Sequence, residues 1–502
     1  MMESAAQTKR RLAFVIWNFE ITEWEDFTRL VDRISRQGFT TVRLHLSWFN
    51  AECAPGIYDF SPYDDRIAYI AGKGMDVILT VDLQRKVHTT EDGTKTAMDA
   101  VIDTDEFQYA YGADTHVPET HYGTAMISYA SPRGTDCMVR FYGAAVAHFA
   151  AVFGPEVIAY AYPTFTPYCE TEYWCAGAYD YSVHMKRAFE DYLSEIYETA
   201  DDLNRDLGTE YRSFAEVPMP DDTERGTLGV LFYQCRHRVL KALIDRLADA
   251  QRAAAPEIPF AVQFGCVWDG ASVRRCTYAF ADLSEKADLV VVDDAPGFDH
   301  AFSMDYVASV LDGSGKAFGN EIDGYYIIAD GVTTAEGYIE QGLTSYRHNA
   351  SVQYVANWMV DEPLSNYGYI FSTVAQEYLE TESPDCVTEN PAQEPVPVSL
   401  LKLFETGDCR DYQDDYRHIT DGGERFGRIC VTDDLTTRVY PNSIAGKDIQ
   451  MDIITPEDVK KQEEEKKSVK DTAMTVAAVG AAAALLALGV AVKVFFSDRD
   501  DK

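Results

Sequence analysis

Two segments of this sequence carry the residue types from which acid–base chemistry is built. The first reads Pro163-Thr164-Phe165-Thr166-Pro167-Tyr168-Cys169-Glu170-Thr171-Glu172-Tyr173-Trp174, and the second Gly319-Asn320-Glu321-Ile322-Asp323-Gly324. Each follows an apolar run of strand-like composition. The aromatic residues Trp48, Tyr168, Trp174, Trp268, Tyr325 and Trp358 fall at comparable positions, as do the polar residues Arg43, His45, Asp82, Gln263, Asp293 and Asp294. Paired carboxyl groups ringed by Trp and Tyr suit cleavage of a glycosidic bond. One acid protonates the leaving oxygen, and the other attacks or stabilises the oxocarbenium-like centre. Aromatic faces stack on sugar rings, while Arg, His and Asn hold hydroxyls. Plainer readings stand beside these: Arg43 as a core salt-bridge residue, His45 as a satisfied core histidine, Asp293 and Asp294 as braces, Trp358 as packing.

The elements that must position these residues read as an alternation. Strands are expected at Leu12–Asn18, Thr41–Trp48, Met75–Leu83, Val157–Pro163, Phe260–Gly265, Leu289–Asp294, Ala317–Asn320 and Gln353–Trp358. Most are near-continuous apolar runs, as in parallel strands buried on both faces. Between them lie amphipathic stretches, among them Trp24–Gln37, Asp64–Lys73, Thr135–Phe153, Tyr181–Leu207, Thr227–Ala254, Met304–Leu311 and Thr334–Tyr346. Strands alternating with helices eight times over predict an α/β fold of the (β/α)8 TIM barrel type. A doubly wound sheet is the alternative, but the chain has no G-x-G-x-x-G or P-loop motif. In a barrel the active face is the C-terminal end of the strands. The two glutamate segments follow strands four and seven, and so face each other across the mouth. Alternation along strand two places Arg43, His45 and Ser47 on one face. A polar insertion, residues 84–126, leaves the same face and has the length of a functional lid.

The chain has 502 residues with 44 Lys+Arg against 82 Asp+Glu, a net charge of −38. Such acidity argues against a nucleic-acid partner, which would need a basic surface, and suits a neutral substrate such as a sugar. The ten Cys are scattered without a C-x-x-C pair, so they read as reduced, mostly buried thiols. His88, His116 and His121 lack ligand spacing on one element, so no metal is expected; nor is any cofactor.

Leu12–Trp17 is too short for a secretory apolar region and reads as a strand. Beyond the expected catalytic barrel at residues 12–370, residues 371–397 form an acidic, Pro-containing linker and 398–455 a small β-rich appendage. A charged stalk follows at 456–472. Ala473–Val492 has 20 uncharged residues, nine of them Ala, enough at ~1.5 Å per residue to cross one hydrocarbon core. Residues 473–496 are therefore expected as a transmembrane helix. The Lys bias upstream puts the barrel on the cytoplasmic side of a single C-terminal anchor, with the lipid bilayer as a partner.

The stretch Phe27–Asp82 resembles the opening of family 42 β-galactosidases and related clan A glycoside hydrolase barrels. The resemblance rests on Thr41-Val42-Arg43-Leu44, Glu52, Pro55-Gly56-Ile57-Tyr58-Asp59-Phe60 and Lys73-Gly74-Met75-Asp76-Val77-Ile78-Leu79. Leu207-Gly208-Thr209 and Ala215-Glu216-Val217-Pro218 are also similar to family 42 sequences. The resemblance covers roughly residues 12–363. It implies a retaining glycoside hydrolase, β-galactosidase-like, with an acid/base Glu after strand four and a nucleophile Glu after strand seven. Glu321 matches the nucleophile position. At the acid position the usual Asn-Glu pair is replaced by Cys169-Glu170. Glu170 is expected as the acid, since Glu170-x-x-Tyr173 looks like the acid-bearing turn of β-amylases, with Glu172 as the fallback. Carbohydrate ligands are expected among Arg43, His45, Trp48, Asp82, Tyr168, Glu172, Gln263, Trp268, Asp293, Asn320 and Trp358. Relatives in family 42 imply self-association, although their trimerisation region is not recognisable after Phe371. The competing reading is a membrane-tethered carbohydrate-binding pseudoenzyme that keeps the aromatic cleft without a working acid.

Overall fold

Apolar runs with no polar alternation become parallel strands here because helices cover their outer faces and the barrel core their inner ones. The structure, a computed structural model, describes residues 9–16, 23–86, 88–89, 95–96, 101–112, 123–294, 299–323, 335–356, 379, 394–420 and 425–436. The barrel strands are β1 (Arg11–Ile16), β2 (Thr41–Ser47), β3 (Asp76–Asp82), β4 (Ile158–Thr164), β5 (Ala261–Gly265), β6 (Leu289–Asp294), β7 (Ala317–Asp323) and β8 (Val352–Ala356). They form one eight-stranded parallel sheet in the order β4-β3-β2-β1-β8-β7-β6-β5. Its two edges meet through a single parallel bridge, Ala161 to Phe260, with the Ala161 amide donating to the Pro259 carbonyl at 3.2 Å. The expected (β/α)8 barrel is therefore present, and its seam lies between β4 and β5.

The helices follow the apolar spacing. In α1 (Trp24–Arg36) the buried residues are Phe27, Leu30, Val31 and Ile34, one stripe at helical period. Gly38, at φ 84°, then turns the chain into β2, a conformation that costs a glycine little. The other main helices are α2 (Ser61–Ala71), α3 (Pro132–Phe153), α4 (Val183–Ile196), α5 (Thr227–Ala254), α6 (His300–Val310) and α7 (Ala335–Arg347). One expected helix, Tyr181–Leu207, is two: α4 ends at Ile196, and a new helix at Ala200–Leu207 starts from a Thr199–Asp202 capping box. The cap satisfies amides locally and resets the helix axis.

Small and aromatic side chains fill the barrel: Ala13, Val15, Ile78, Tyr160, Tyr162, Ala261, Leu289, Val291, Val352, Tyr354 and Ala356 belong to one buried cluster. Strand alternation extends that inward face to Arg43, His45, Thr80, Asp82, Gln263, Asp293 and Glu321 nearer the C-terminal ends.

The appendage differs from its expected β-rich character. Its described part pairs two short parallel strands, β9 (Val396–Val398) and β10 (Ile429–Val431), around two helices, α8 (Leu400–Thr406) and α9 (Arg410–Thr420). Leu400, Leu403 and Phe404, then Tyr412, Tyr416 and Thr420, bury one helical face each, a period that outweighs the β-branched residues flanking it. The expected linker falls almost wholly outside the described residues, as do the stalk and residues 473–496. Residues 326–332 and 439–502 also lie outside them. The membrane anchor and the membrane localisation inferred from it are corrected: among the described residues no helix is long and apolar enough to cross a membrane. The Ala-rich composition of 473–492 supplied length without strong hydrophobicity.

One buried carboxylate fastens the appendage to α6. Asp305 Oδ2 accepts from the Tyr416 hydroxyl at 2.8 Å and the Gly427 amide at 2.6 Å, while Oδ1 lies 2.6 Å from His348 Nδ1. Asp305→Ala leaves these donors buried without their acceptor, at about 1–3 kcal/mol for each group left unsatisfied. Urea denaturation should show a loss of about 3 kcal/mol or more. A loss below about 1 kcal/mol would mean that the carboxylate does not hold the two parts together.

Candidate active site

Glu321 lies inside the barrel mouth on β7, with its Cα paired to Asp293 on β6 and Tyr354 on β8. Gly319, two residues earlier, has no room for a side chain, since an added Cβ would lie 2.4 Å from the Val352 carbonyl oxygen. Arg43 on β2 reaches across the interior. Its Nη1 donates to Glu321 Oε2 at 2.9 Å and Oε1 at 3.3 Å, and both side chains are almost completely buried. Gln263 Nε2, from β5, also donates to Glu321 Oε2. Gln263 is oriented in turn by the Tyr162 hydroxyl, which donates to its Oε1 at 2.6 Å.

A buried guanidinium needs more than one partner. Arg43 Nη2 donates to the Cys169 carbonyl at 3.2 Å and Nε to Thr80 Oγ1 at 3.3 Å. The rings of Tyr162 and Tyr354 lie 5.7 and 5.6 Å from it, within cation–π range. Burial works against its charge, but Tyr162, Glu321 and their neighbours outweigh that and raise its pKa. Burial likewise lifts the Glu321 carboxyl, against Arg43 and Gln263, which favour the carboxylate.

Glu170 is placed by the seam. β4 carries Pro163, which has no amide to donate, and β4 meets β5 at only one bridge. The turn after β4 folds back into the gap. Thr171 donates its amide to the Gln263 carbonyl at 2.6 Å and its hydroxyl to the Pro163 carbonyl at 2.9 Å, and its Oγ1 accepts from the Gln263 amide at 3.2 Å. Within the turn the Phe165 amide donates to the Glu170 carbonyl at 2.9 Å, and the Thr166 hydroxyl donates to Glu170 Oε2. Burial pushes the Glu170 carboxyl up to about 7; Thr166 and Arg275 oppose the rise and the charge of Glu321 adds to it. A carboxyl so placed keeps part of its protons near neutral pH, where an ordinary glutamate is fully ionised.

Glu172 is held differently. Its Oε1 pairs with Arg275 at 3.1 Å and its Oε2 accepts the Gly265 amide at 2.8 Å. Those contacts tie the turn to the end of β5 and to the segment beyond it, a bracing role. Tyr168 and Trp174 pack edge to face at 6.2 Å and Trp174 stacks on Tyr179 at 6.0 Å. Tyr173 instead turns into the protein, its ring 4.1 Å from the Arg236 guanidinium.

On the opposite side, His45 Nε2 lies 3.5 Å from Asp82 Oδ2 and Nδ1 lies 2.9 Å from Cys169 Sγ. Burial works against the imidazolium, but Cys169 and Asp82 outweigh it, so His45 titrates well above the usual histidine range. Asp82 also accepts from the Gln84 amide at 3.1 Å and Gln84 Nε2 at 2.9 Å, at the root of the insertion.

The structure thus gathers Arg43, His45, Asp82, Gln263, Glu170 and Glu321 at one end of the barrel, and Asp293 ends β6 half-buried on the inward face. Other expectations are corrected. Asn320 is on the outer face of β7 and donates to Asp294 Oδ2 at 2.5 Å, because the pleat sends it opposite to Glu321. Trp48 is wholly buried, its Nε1 donating to Glu52 at 2.5 Å and its ring between Phe141 and Arg85, so it offers no face to a sugar. Trp268 is buried edge-on against Phe302. Trp358 lies outside the described residues. Sequence reasoning missed Cys169, Tyr162, Tyr354 and Arg275. Alternation along β4 and β8 could have found the two tyrosines; nothing in the sequence flags Arg275. Among the described residues one group of metal-ligating atoms, Asp105, Glu106 and His184, comes within 4.8 Å of one another. Glu106 there already accepts from the Ser131 hydroxyl and, at 3.2 Å, the Gly134 amide, capping α3.

Residues 168–311 match the Glyco_hydro_42 family model, described as Beta-galactosidase. No curated protein matches the chain in sequence. Among solved structures, the β-galactosidase of the psychrophilic Marinomonas ef1 is 14% identical with a TM-score of 0.56, covering 81% of this chain and 66% of its own. The polyextremophilic β-galactosidase of the Antarctic haloarchaeon Halorubrum lacusprofundi is 17% identical with a TM-score of 0.60, covering 80% and 62%. The catalytic domain of β-amylase from Paenibacillus polymyxa is 13% identical with a TM-score of 0.55, covering 73% and 98%. The chain therefore spans about two thirds or less of the β-galactosidases it matches. At these identities the likeness is one of fold. Together these likenesses give the class of fold, a (β/α)8 barrel shared with solved β-galactosidases and a β-amylase. Within that class the resemblance to family 42 read from the motifs is borne out by the match over 168–311, the segment that runs from the Glu170 turn to the end of α6.

The Arg43–Glu321 pair can be weighed by a double-mutant cycle in urea. Arg43→Met should cost about 3–5 kcal/mol, because it leaves a buried carboxylate without its cation. Adding Glu321→Gln should recover part of that loss. Additive single effects would show that the two charges do not compensate each other.

Proposed function

We propose that the chain is a retaining glycoside hydrolase, with β-galactosides as the first substrates to test, Glu321 as nucleophile and Glu170 as acid/base. The observation that carries this reading is the unlike setting of two buried carboxyls that feel each other's charge. Glu321 is held by a guanidinium and a carboxamide, both of which favour its ionised form. Glu170 has one hydroxyl partner and a pKa lifted to about 7 by burial. Burial raises both carboxyls, and Glu321 is the one ion-paired with a guanidinium, a difference in setting that assigns an acid and a nucleophile.

In the first step Glu170 protonates the glycosidic oxygen as Glu321 attacks the anomeric carbon, and the sugar becomes an ester of Glu321. Retention requires the two carboxyl groups ~5–5.5 Å apart, whereas ~6.5–9.5 Å would admit a water and invert the centre. Esterification neutralises Glu321, so the charge that helped raise Glu170 is gone and its pKa falls. Glu170 is then the base that takes a proton from the attacking water. His45, Asp82, Gln263, Tyr168 and Asp293 are the sugar-facing candidates. The family 42 match and the fold likeness to β-galactosidases support the choice of substrate class.

Glu321→Gln should lower kcat by at least about a thousandfold on all substrates. Glu170→Gln should lose about 10²–10⁴-fold on glycosides with poor leaving groups and little on dinitrophenyl glycosides, and azide should rescue only this variant. Equal losses on both leaving-group classes would remove Glu170 from the acid role. In the wild type kcat/KM should fall as pH rises through about 7, where the free Glu170 loses its proton. This basic limb should be absent in Glu170→Gln.

A further inference from the structure

The two oxygens of Glu321 are unequal. Oε2 accepts from Arg43 Nη1 at 2.9 Å and from Gln263 Nε2. Oε1, among the described residues, has the longer contact to the same Arg43 nitrogen, at 3.3 Å. A glutamine can turn either end of its carboxamide to a carboxylate, and only the nitrogen end is attractive. The Tyr162 hydroxyl decides between them. It donates to Gln263 Oε1 at 2.6 Å, which leaves Nε2 facing Glu321. Burial holds the Tyr162 phenol above the usual tyrosine range, so it stays a donor. Both side chains are wholly buried, so water does not compete for these bonds. The Tyr162–Gln263 bond also crosses the seam between β4 and β5, where the backbones share a single bridge. We propose that Tyr162 is a positioning residue of the hydrolysis, acting through Gln263 to hold Glu321 Oε2 as a fixed acceptor and leave Oε1 as the atom that attacks the sugar.

A carboxylate oxygen whose lone pairs already accept two charge-assisted hydrogen bonds is the poorer nucleophile of the pair. In the first step a lone pair of Oε1 forms the bond to the anomeric carbon as the glycosidic C–O bond breaks. The electron pair of that bond goes to the leaving oxygen, which takes the Glu170 proton. Oε2 becomes the carbonyl oxygen of the ester and keeps both donors, so neither Arg43 nor Gln263 has to move as the charge is lost. When water attacks the anomeric carbon, Oε1 leaves with its pair and the carboxylate returns. Gln263 has a second N–H, so this role does not compete with a contact to the sugar. Arg43 of β2, Tyr162 of β4, Glu170 of the turn after it, Asp293 of β6 and Tyr354 of β8 are the titratable groups around this carboxyl. His45 of β2 and Asp82 of β3 pair with each other. Burial lifts the Glu321 carboxyl, and Arg43 and Gln263 oppose the rise. Loss of the Gln263 donor therefore lifts it further, and loss of the Tyr162 hydroxyl does so by releasing the carboxamide. The choice of attacking atom rests on the hydrolase reading above; the hold on Glu321 does not.

The test is carboxyl carbon-13 NMR of the whole chain labelled in glutamate, with the Glu321 signal assigned by its absence in Glu321→Gln. Its titration should move up by about one pH unit in Gln263→Met, which removes a hydrogen bond to a charged group. It should move up by a smaller step in Tyr162→Phe, which keeps the ring beside Arg43. In the double variant Tyr162→Phe should add nothing to Gln263→Met. An unchanged Glu321 titration in Tyr162→Phe overturns the proposal, and so do additive shifts in the double variant. Should Gln263→Met fail to fold, Tyr162→Phe decides alone, since it removes a single oxygen atom. In parallel, the acidic limb of kcat/KM on a dinitrophenyl galactoside should rise by the same step, while the basic limb set by Glu170 stays at about 7. A lower rate with both limbs in place would make Tyr162 a merely structural residue and overturn the positioning role. If the wild type cleaves no glycoside, the hydrolase reading fails and the attacking atom falls with it. The NMR shifts then still decide whether Tyr162 acts on Glu321 through Gln263.

Discussion

A guanidinium buried inside a barrel is the constraint on which the rest of this site depends. Removing Arg43 from water is expensive unless every donor finds a partner and its charge is met. The sequence meets that demand with residues from four other strands and a turn. Glu321 supplies the charge, Thr80 and the Cys169 carbonyl accept its remaining donors, and Tyr162 and Tyr354 face it with their rings. Because Arg43 contacts both β7 and the turn after β4, the positions of Glu321 and of the turn that carries Glu170 are tied to one side chain. Any shift of the turn is felt at Glu321 through the same guanidinium.

The second constraint is the imperfect seam. Eight parallel strands could close with a full ladder, yet here β4 and β5 share one bridge, and Pro163 withholds a donor just where pairing would continue. Backbone groups left open in this way must find other partners. Thr171 provides them, and in doing so it draws Glu170 and Glu172 over the mouth. The weakness of the sheet at this place is thus the reason that the acid-bearing turn lies where it does. Glu172, braced by Arg275 and the Gly265 amide, keeps the turn down, which leaves Glu170 the less restrained of the two acids.

Much of this was legible beforehand, for a physical reason. Strands covered on both faces read as apolar runs, and all eight appear within a few residues of their expected bounds; α5 spans Thr227–Ala254 as expected. Arg43, His45, Gln263 and Glu321 followed from alternation at strand ends. Asn320 did not, because adjacency to Glu321 in sequence means the opposite face in a strand. Trp48 misled because a tryptophan after a strand reads the same whether it lines a mouth or fills the layer beneath, where Glu52 takes its N–H. Arg275 and the seam depend on contacts between segments distant in sequence, which carry no local pattern. The helices of the appendage were hidden by short apolar pieces that suit either period.

Double displacement requires a covalent bond to Glu321. A 2-deoxy-2-fluoro-β-galactoside with a dinitrophenolate leaving group slows both steps but the second more, so the glycosyl-enzyme accumulates. Mass mapping of the trapped protein should place one fluorosugar on the peptide containing Glu321, with a burst of one dinitrophenolate per chain. A fluorosugar on Glu170 or Glu172 would contradict the assignment of roles. Turnover of an unsubstituted galactoside with inversion at the anomeric carbon, and no adduct from the fluorosugar, would contradict the double-displacement account itself.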